Sequence, residues 1–132
     1  MEEAIATKTL LIVEEDDGVA AMLVQALASK YVVFRAAHLK GAREILATIG
    51  VDAILLDWCL DQEHGRELLD FLPKRNRQAC PPTLVIGGDV PEVEAMNRGA
   101  AAVLHKPFKL EALESTLAHI LGNNSSNHAG RP

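Results

Sequence analysis

Cysteine is scarce in this chain. Its 132 residues hold two, Cys59 and Cys80, with neither a CxxC nor a Cys/His spacing, so neither a disulfide framework nor a zinc site is indicated. Aromatic residues are only 4% of the sequence, which leaves a core to be built from Leu, Ile, Val and Ala. Basic residues are outnumbered, and the net charge of −5 argues against a module that grips nucleic acid or an anionic membrane. No apolar run approaches the roughly 18 residues of a membrane span. Met1–Ala6 lacks the basic region and apolar stretch of a signal peptide, so a reducing, cytoplasmic setting is expected. GxGxxG and GxxxxGK[ST] are missing, which removes the usual glycine-rich phosphate loops. There is no internal repeat.

The chain is long enough for one domain and too short for two, and 48% of it is apolar. Five short apolar runs have strand length: Leu10–Val13, Val32–Phe34, Ala53–Leu56, Thr83–Ile86 and Ala101–Leu104. They are continuous rather than alternating, the pattern of strands buried on both faces of a parallel sheet. Between them lie helical stripes. Val19, Met22, Leu23, Ala26 and Leu27 form one, and Leu39, Ala42, Leu46 and Ile49 another. Leu68, Leu69 and Leu72 form a shorter stripe, and Leu110, Leu113, Leu117, Ile120 and Leu121 the last. A weaker segment starts near Pro91, with Val93 and Met96 as its expected anchors and Gly99 as its stop. Strand and helix thus alternate, which predicts an α/β fold: a doubly wound, flavodoxin-like (βα)5 parallel sheet in the order 2-1-3-4-5. Residues 1–7 read as an N-terminal extension, 8–121 as the domain, and 122–132 as a disordered polar tail.

Ligands of such folds bind beyond the carboxyl ends of the strands. There the sequence places Glu14-Glu15-Asp16-Asp17, then Asp57, then Gly87-Gly88, then Lys106-Pro107. Carboxylates gathered at one edge raise one another's pKa unless a cation joins them, and Mg²⁺ prefers oxygen ligands while keeping several waters. Asp57 is the candidate nucleophile, since a carboxylate can attack phosphorus to give an acyl phosphate, and Lys106 is the candidate for balancing the charge. Asp16 and Asp17 read as caps of the first helix rather than metal ligands. His38, His64, His105, His119 and His128 are scattered and read as surface or helix-end residues. Trp58 reads as a packing residue beside the site, and Cys59 as a partly buried thiol flanking it.

From about Lys8 to Leu121 these residues resemble the receiver domain of two-component response regulators. Leu11-Ile12-Val13-Glu14-Glu15-Asp16 is similar to the family's first strand and acidic pair. Asp52-Ala53-Ile54-Leu55-Leu56-Asp57 is similar to its third strand and phosphoacceptor. Gly65 and Gly99-Ala100 match further family positions, and Lys106-Pro107-Phe108 matches the closing signature. The resemblance implies that Asp57 takes a phosphoryl group from a histidine kinase or phosphotransfer protein. It also implies that Lys106 contacts that group and that the Lys106–Pro107 peptide is cis. Glu14, Glu15, Asp57 and the Cys59 backbone carbonyl are implied as the Mg²⁺ ligands. The protein would then catalyse at most its own phosphorylation and dephosphorylation, and signal by altered binding to an output protein, with homodimerisation a further option and no direct nucleic-acid or membrane contact.

Four positions depart from the family pattern. Glu15 replaces an Asp, Gly87 a Ser or Thr, Val103 a Tyr or Phe, and Asp61 a Pro. Gly87 removes a hydroxyl that would bond the phosphoryl group, leaving the backbone N–H groups of Gly87 and Gly88 as phosphoryl-facing donors. With Val103 also altered, the family's usual rearrangement cannot run in its ordinary form. Two other readings therefore stand beside the first. One is a docking module that keeps the fold but works without phosphorylation. The other, opposed by the acidic first loop, is a flavodoxin-like cofactor binder.

Overall fold

The computed structural model describes residues 7–60, 64–72 and 80–122. Apart from Thr7 and Gly122, the N-terminal extension and the polar tail lie outside the described residues, as do Asp61 and His128. Strands and helices alternate as β1 (Thr9–Val13), α1 (Asp17–Leu27), β2 (Val32–Ala36), α2 (Leu39–Thr48), β3 (Ala53–Asp57), α3 (Arg66–Phe71), β4 (Thr83–Gly87), α4 (Glu92–Asn97), β5 (Ala102–His105) and α5 (Leu110–Ile120). All pairings are parallel and the order is β2-β1-β3-β4-β5, as the alternation of patterns predicts.

Burial follows position in the sheet. β3 and β4 are buried throughout and β1 nearly so, whereas the edge strands β2 and β5 are partly open. Successive side chains on a strand point to opposite faces, and here they sort into two separate cores. Leu11, Val13, Ile54, Leu56 and Val85 pack with α2, α3 and α4. Leu10, Ile12, Leu55, Leu84 and Ile86 pack with α1 and α5 through Leu23, Leu27, Leu113 and Leu117. The continuous apolar runs are the sequence image of a sheet that must satisfy both.

Three expectations are corrected. β2 runs on through Arg35 and Ala36, because an edge strand lets a charged side chain leave the sheet. α4 is not anchored by Val93 and Met96, which are 75% and 45% exposed; Ala95 is the buried residue, packed with Val90 and Ala100. Met22 and Leu110 also face outward rather than joining their stripes. Gly99 does end the α4 region, with φ 115°, in the left-handed range that favours glycine.

At the start of β4 the Thr83 hydroxyl is buried and has no hydrogen-bond partner among the described residues. A buried, unsatisfied polar group costs about 1–3 kcal/mol. Thr83→Val keeps the β-branch and removes the cost, so it should raise unfolding stability by about 1 kcal/mol, read as a higher urea midpoint with an unchanged slope.

Candidate functional site

At the carboxyl edge of the sheet, the ends of β1, β3 and β5 open on one cleft of about 520 Å³. Glu14, Glu15 and Asp16 line it from the first strand, Asp57 and Cys59 from the third, and Lys106 from the fifth. The sheet register brings them together: Val13 is level with Leu56 and Gly87 with His105, so the next residues on each strand meet at the rim.

Asp57 is 7% exposed. Its Oδ1 accepts the Cys59 N–H at 3.2 Å, and its Oδ2 lies 4.0 Å from Lys106 Nζ. The same amine is 3.9 Å from Glu14 Oε1. Neither distance is a hydrogen bond, so the ammonium stands off from both acids and leaves space between them. Glu14 is 3% exposed; its Oε2 accepts the Asp16 N–H at 3.1 Å, while Oε1 is buried with no hydrogen-bond partner among the described residues. Burial pushes the Glu14 carboxyl above its ordinary value and the nearby Asp57 charge adds to that, against the Asp16 N–H and Lys106, which favour the ionised form. The Lys106–Pro107 peptide is cis, as the resemblance implies.

Local structure fixes the acidic loop. Asp16 is the N-cap of α1, with its Oδ1 accepting the Val19 N–H at 2.9 Å. Asp17 opens the helix and pairs with Arg35 at 3.0 Å. Arg35 is the residue that sequence reasoning missed. Its guanidinium donates to the Glu14 carbonyl at 2.9 and 2.7 Å and to the Glu15 carbonyl at 3.2 Å, clamping the backbone beneath both acids. The only signal was a lone arginine closing an apolar run. Gly65 is needed for space: a Cβ there would lie 2.8 Å from the Asp57 carbonyl oxygen and 3.0 Å from Trp58 Cα. Its N–H donates to the Trp58 carbonyl at 2.9 Å, so the chain crosses directly beside Asp57. Trp58 is buried, as its packing role predicts, but Cys59 is exposed rather than partly buried, and both thiols are free. Gly87 and Gly88 are not among the residues that line the cleft.

The donor set fits a hard divalent cation, since the orphaned Glu14 Oε1 is buried beside a second carboxylate in a polar cleft. Among the described residues no three or more His, Cys, Asp or Glu side chains already form a metal-holding group. A backbone carbonyl and water would have to complete the shell, which Mg²⁺ accepts.

A parallel sheet in the order β2-β1-β3-β4-β5, with two buried carboxylates and a lysine at its carboxyl edge, defines a flavodoxin-like domain with a charged rim. Residues 10–118 match the model of the response regulator receiver domain, and the chain belongs to that family. A response regulator from Chloroflexus aurantiacus is 30% identical, with a TM-score of 0.77 over 89% of this chain and 99% of that one. The receiver domain of the TMAO respiratory system response regulator TorR is 27% identical, with a TM-score of 0.78 over 88% and 98%. A Vibrio cholerae protein named "Probable cyclic di-GMP phosphodiesterase" is 29% identical over 94% of this chain, which spans 29% of that relative's length.

Two outcomes follow from the geometry. Arg35→Ala should loosen the acidic loop and lower stability by about 2 kcal/mol, the scale of charge-assisted hydrogen bonds, seen as faster amide exchange at Glu14–Asp17. The raised Glu14 pKa means that the folded state holds this proton more tightly than the unfolded chain. Stability is therefore lost as pH rises from the ordinary value of 4.5 through the folded one. In metal-free buffer Glu14→Gln should be more stable than wild type at neutral pH. The gap should close below the ordinary carboxyl value, as followed by urea midpoints across the range.

Proposed function

We propose that residues 8–121 form a phosphorylatable receiver in which Asp57 accepts a phosphoryl group from a histidine kinase or phosphotransfer protein. The observation that carries this reading is the pair of buried carboxylates, Glu14 and Asp57, with Lys106 about 4 Å from each. In the transfer, an Asp57 oxygen bonds to phosphorus while the P–N bond to the donor imidazole breaks, and the imidazole leaves with the electron pair. The Cys59 N–H holds Oδ1, which leaves Oδ2, on the Lys106 side, as the attacking atom. Lys106 balances charge on the transferred oxygens, in a reaction whose catalysis is mostly positioning and electrostatics. Glu14, Glu15, Asp57 and the Cys59 carbonyl would hold Mg²⁺, with Glu15 directly or through water. The bound ion would neutralise phosphoryl charge.

Phosphorylation adds about −1.5 to −2 charge to a rim that is already acidic, and that change biases partner binding. α4 exposes Val93 and Met96 and α5 exposes Leu110 on either side of β5. This favours the α4-β5-α5 surface, which the resemblance implies, as the site for an output protein or a second copy of the chain. Among the described residues no helix is long and apolar enough to cross a membrane. A cyclic di-GMP phosphodiesterase as the output is one proposal that the Vibrio cholerae relative supports.

A second reading, a docking module independent of phosphorylation, is favoured by Gly87 and by Val103, which lies half-buried against the α2-α3-α4 core. Acetyl phosphate with Mg²⁺ separates the two. Intact-mass measurement should show one phosphoryl adduct on wild type and none on Asp57→Asn. A wild-type protein that stays unmodified while an ordinary receiver is labelled in parallel would sink the first reading, and a partner that binds wild type and Asp57→Asn equally would establish the second.

A further inference from the structure

β4 ends at the buried Gly87, and the chain passes through the exposed Gly88 and Asp89 before Val90 turns back into the core. A Cβ on Gly87 would stand 2.8 Å from Val90 Cγ2 and 3.4 Å from Trp58 Cβ. Carbon atoms pack best at about 3.5–4.0 Å, so the place of a side chain at position 87 is already filled. The methyl that fills it belongs to a β-branched residue, stiff at χ1 and enclosed by core neighbours, so it cannot swing aside easily. Gly88 is the contrast: a Cβ there meets nothing within 4 Å. The crowded strand end is wired to the site on both sides. The Gly87 carbonyl accepts the Lys106 N–H at 2.8 Å, and the Ile86 carbonyl accepts the Trp58 N–H at 2.9 Å, next to Asp57.

We propose that Val90 is a positioning residue whose isopropyl group occupies the side-chain place of position 87. It fixes the end of β4 and, through the Gly87 carbonyl, the backbone of Lys106. Gly87 and Val90 are then one unit, and the missing hydroxyl cannot be restored by one substitution. The 88–91 loop is held by an apolar plug instead of being drawn to the cleft by a hydroxyl, and it moves only when Val90 leaves its seat. The functional half of this inference rests on the phosphoacceptor reading, while its structural half does not.

The test is a double-mutant cycle on the full chain: Gly87→Thr, Val90→Ala and the pair, with Gly88→Thr as control. Gly87→Thr should lower the urea midpoint and shift Trp58 emission, while Gly88→Thr leaves both unchanged. Val90→Ala alone should also lower the midpoint, yet added to Gly87→Thr it should raise it again. That reversal of sign is something an ordinary core valine would not produce. If Gly87→Thr does not fold, Gly87→Ala, which adds only the colliding Cβ, takes its place in the cycle. In the double variant the threonine hydroxyl has room, so the acyl phosphate formed with acetyl phosphate and Mg²⁺ should last several times longer than in Val90→Ala.

A Gly87→Thr protein with wild-type midpoint and emission, or losses that merely add in the pair, overturns the proposal. So does an unchanged acyl-phosphate lifetime in a double variant whose midpoint has recovered. If no variant, wild type included, takes up a phosphoryl group, the phosphoacceptor reading fails, and the midpoint cycle alone still decides where Val90 sits.

Discussion

Glu14 and Asp57 are held almost out of water at the same rim, with one ammonium about 4 Å from each. Burying ionised groups is costly unless they are paired and hydrogen-bonded, and here the pairing is incomplete: among the described residues Glu14 Oε1 has no donor, and Lys106 sits just beyond hydrogen-bonding range. A proton on Glu14 relieves that strain, as would a cation at the rim. The doubly wound sheet produces the conflict by topology. β1 and β3 are neighbours in the middle of the sheet, so the residues that end them are forced together whatever their charge. The chain then spends further contacts to keep the arrangement in place: the Asp16 cap, the Arg35 clamp, the Gly65 crossing and the Lys106–Gly87 hydrogen bond.

Much of this was legible in the residues themselves. The continuous apolar runs of β1, β3 and β4 announce strands covered on both faces, and the acids directly after the runs of β1 and β3 mark the rim. The edges were harder to read. Arg35 broke the apolar run and so hid the end of β2, and with it the clamp under the acidic loop. α4 misled for a different reason: its buried contact is the small Ala95, while the larger Val93 and Met96 face outward. Hydrophobic size points to core only where a helix has a full stripe to bury, and a helix of one and a half turns does not.

Gly87 shows the limit of reading one position at a time. In the sequence it is a hydroxyl lost from a family position. In the fold it is one half of a contact whose other half, Val90, lies beyond an exposed turn. Periodicity does not connect them, because the turn between them belongs to no regular element. Cys59 is a similar case: it is exposed between the buried Trp58 and Leu60, at an isolated bridge to His64.

The division of the interior into two cores gives the molecule an insulating partition. Trp58, Val90 and Ala95 share the layer beneath α2, α3 and α4, while α1 and α5 rest on the opposite layer. Trp58, next to Asp57, is therefore packed with the α4 side of the sheet, while the cleft itself borders α1 directly through Asp16 and Val19.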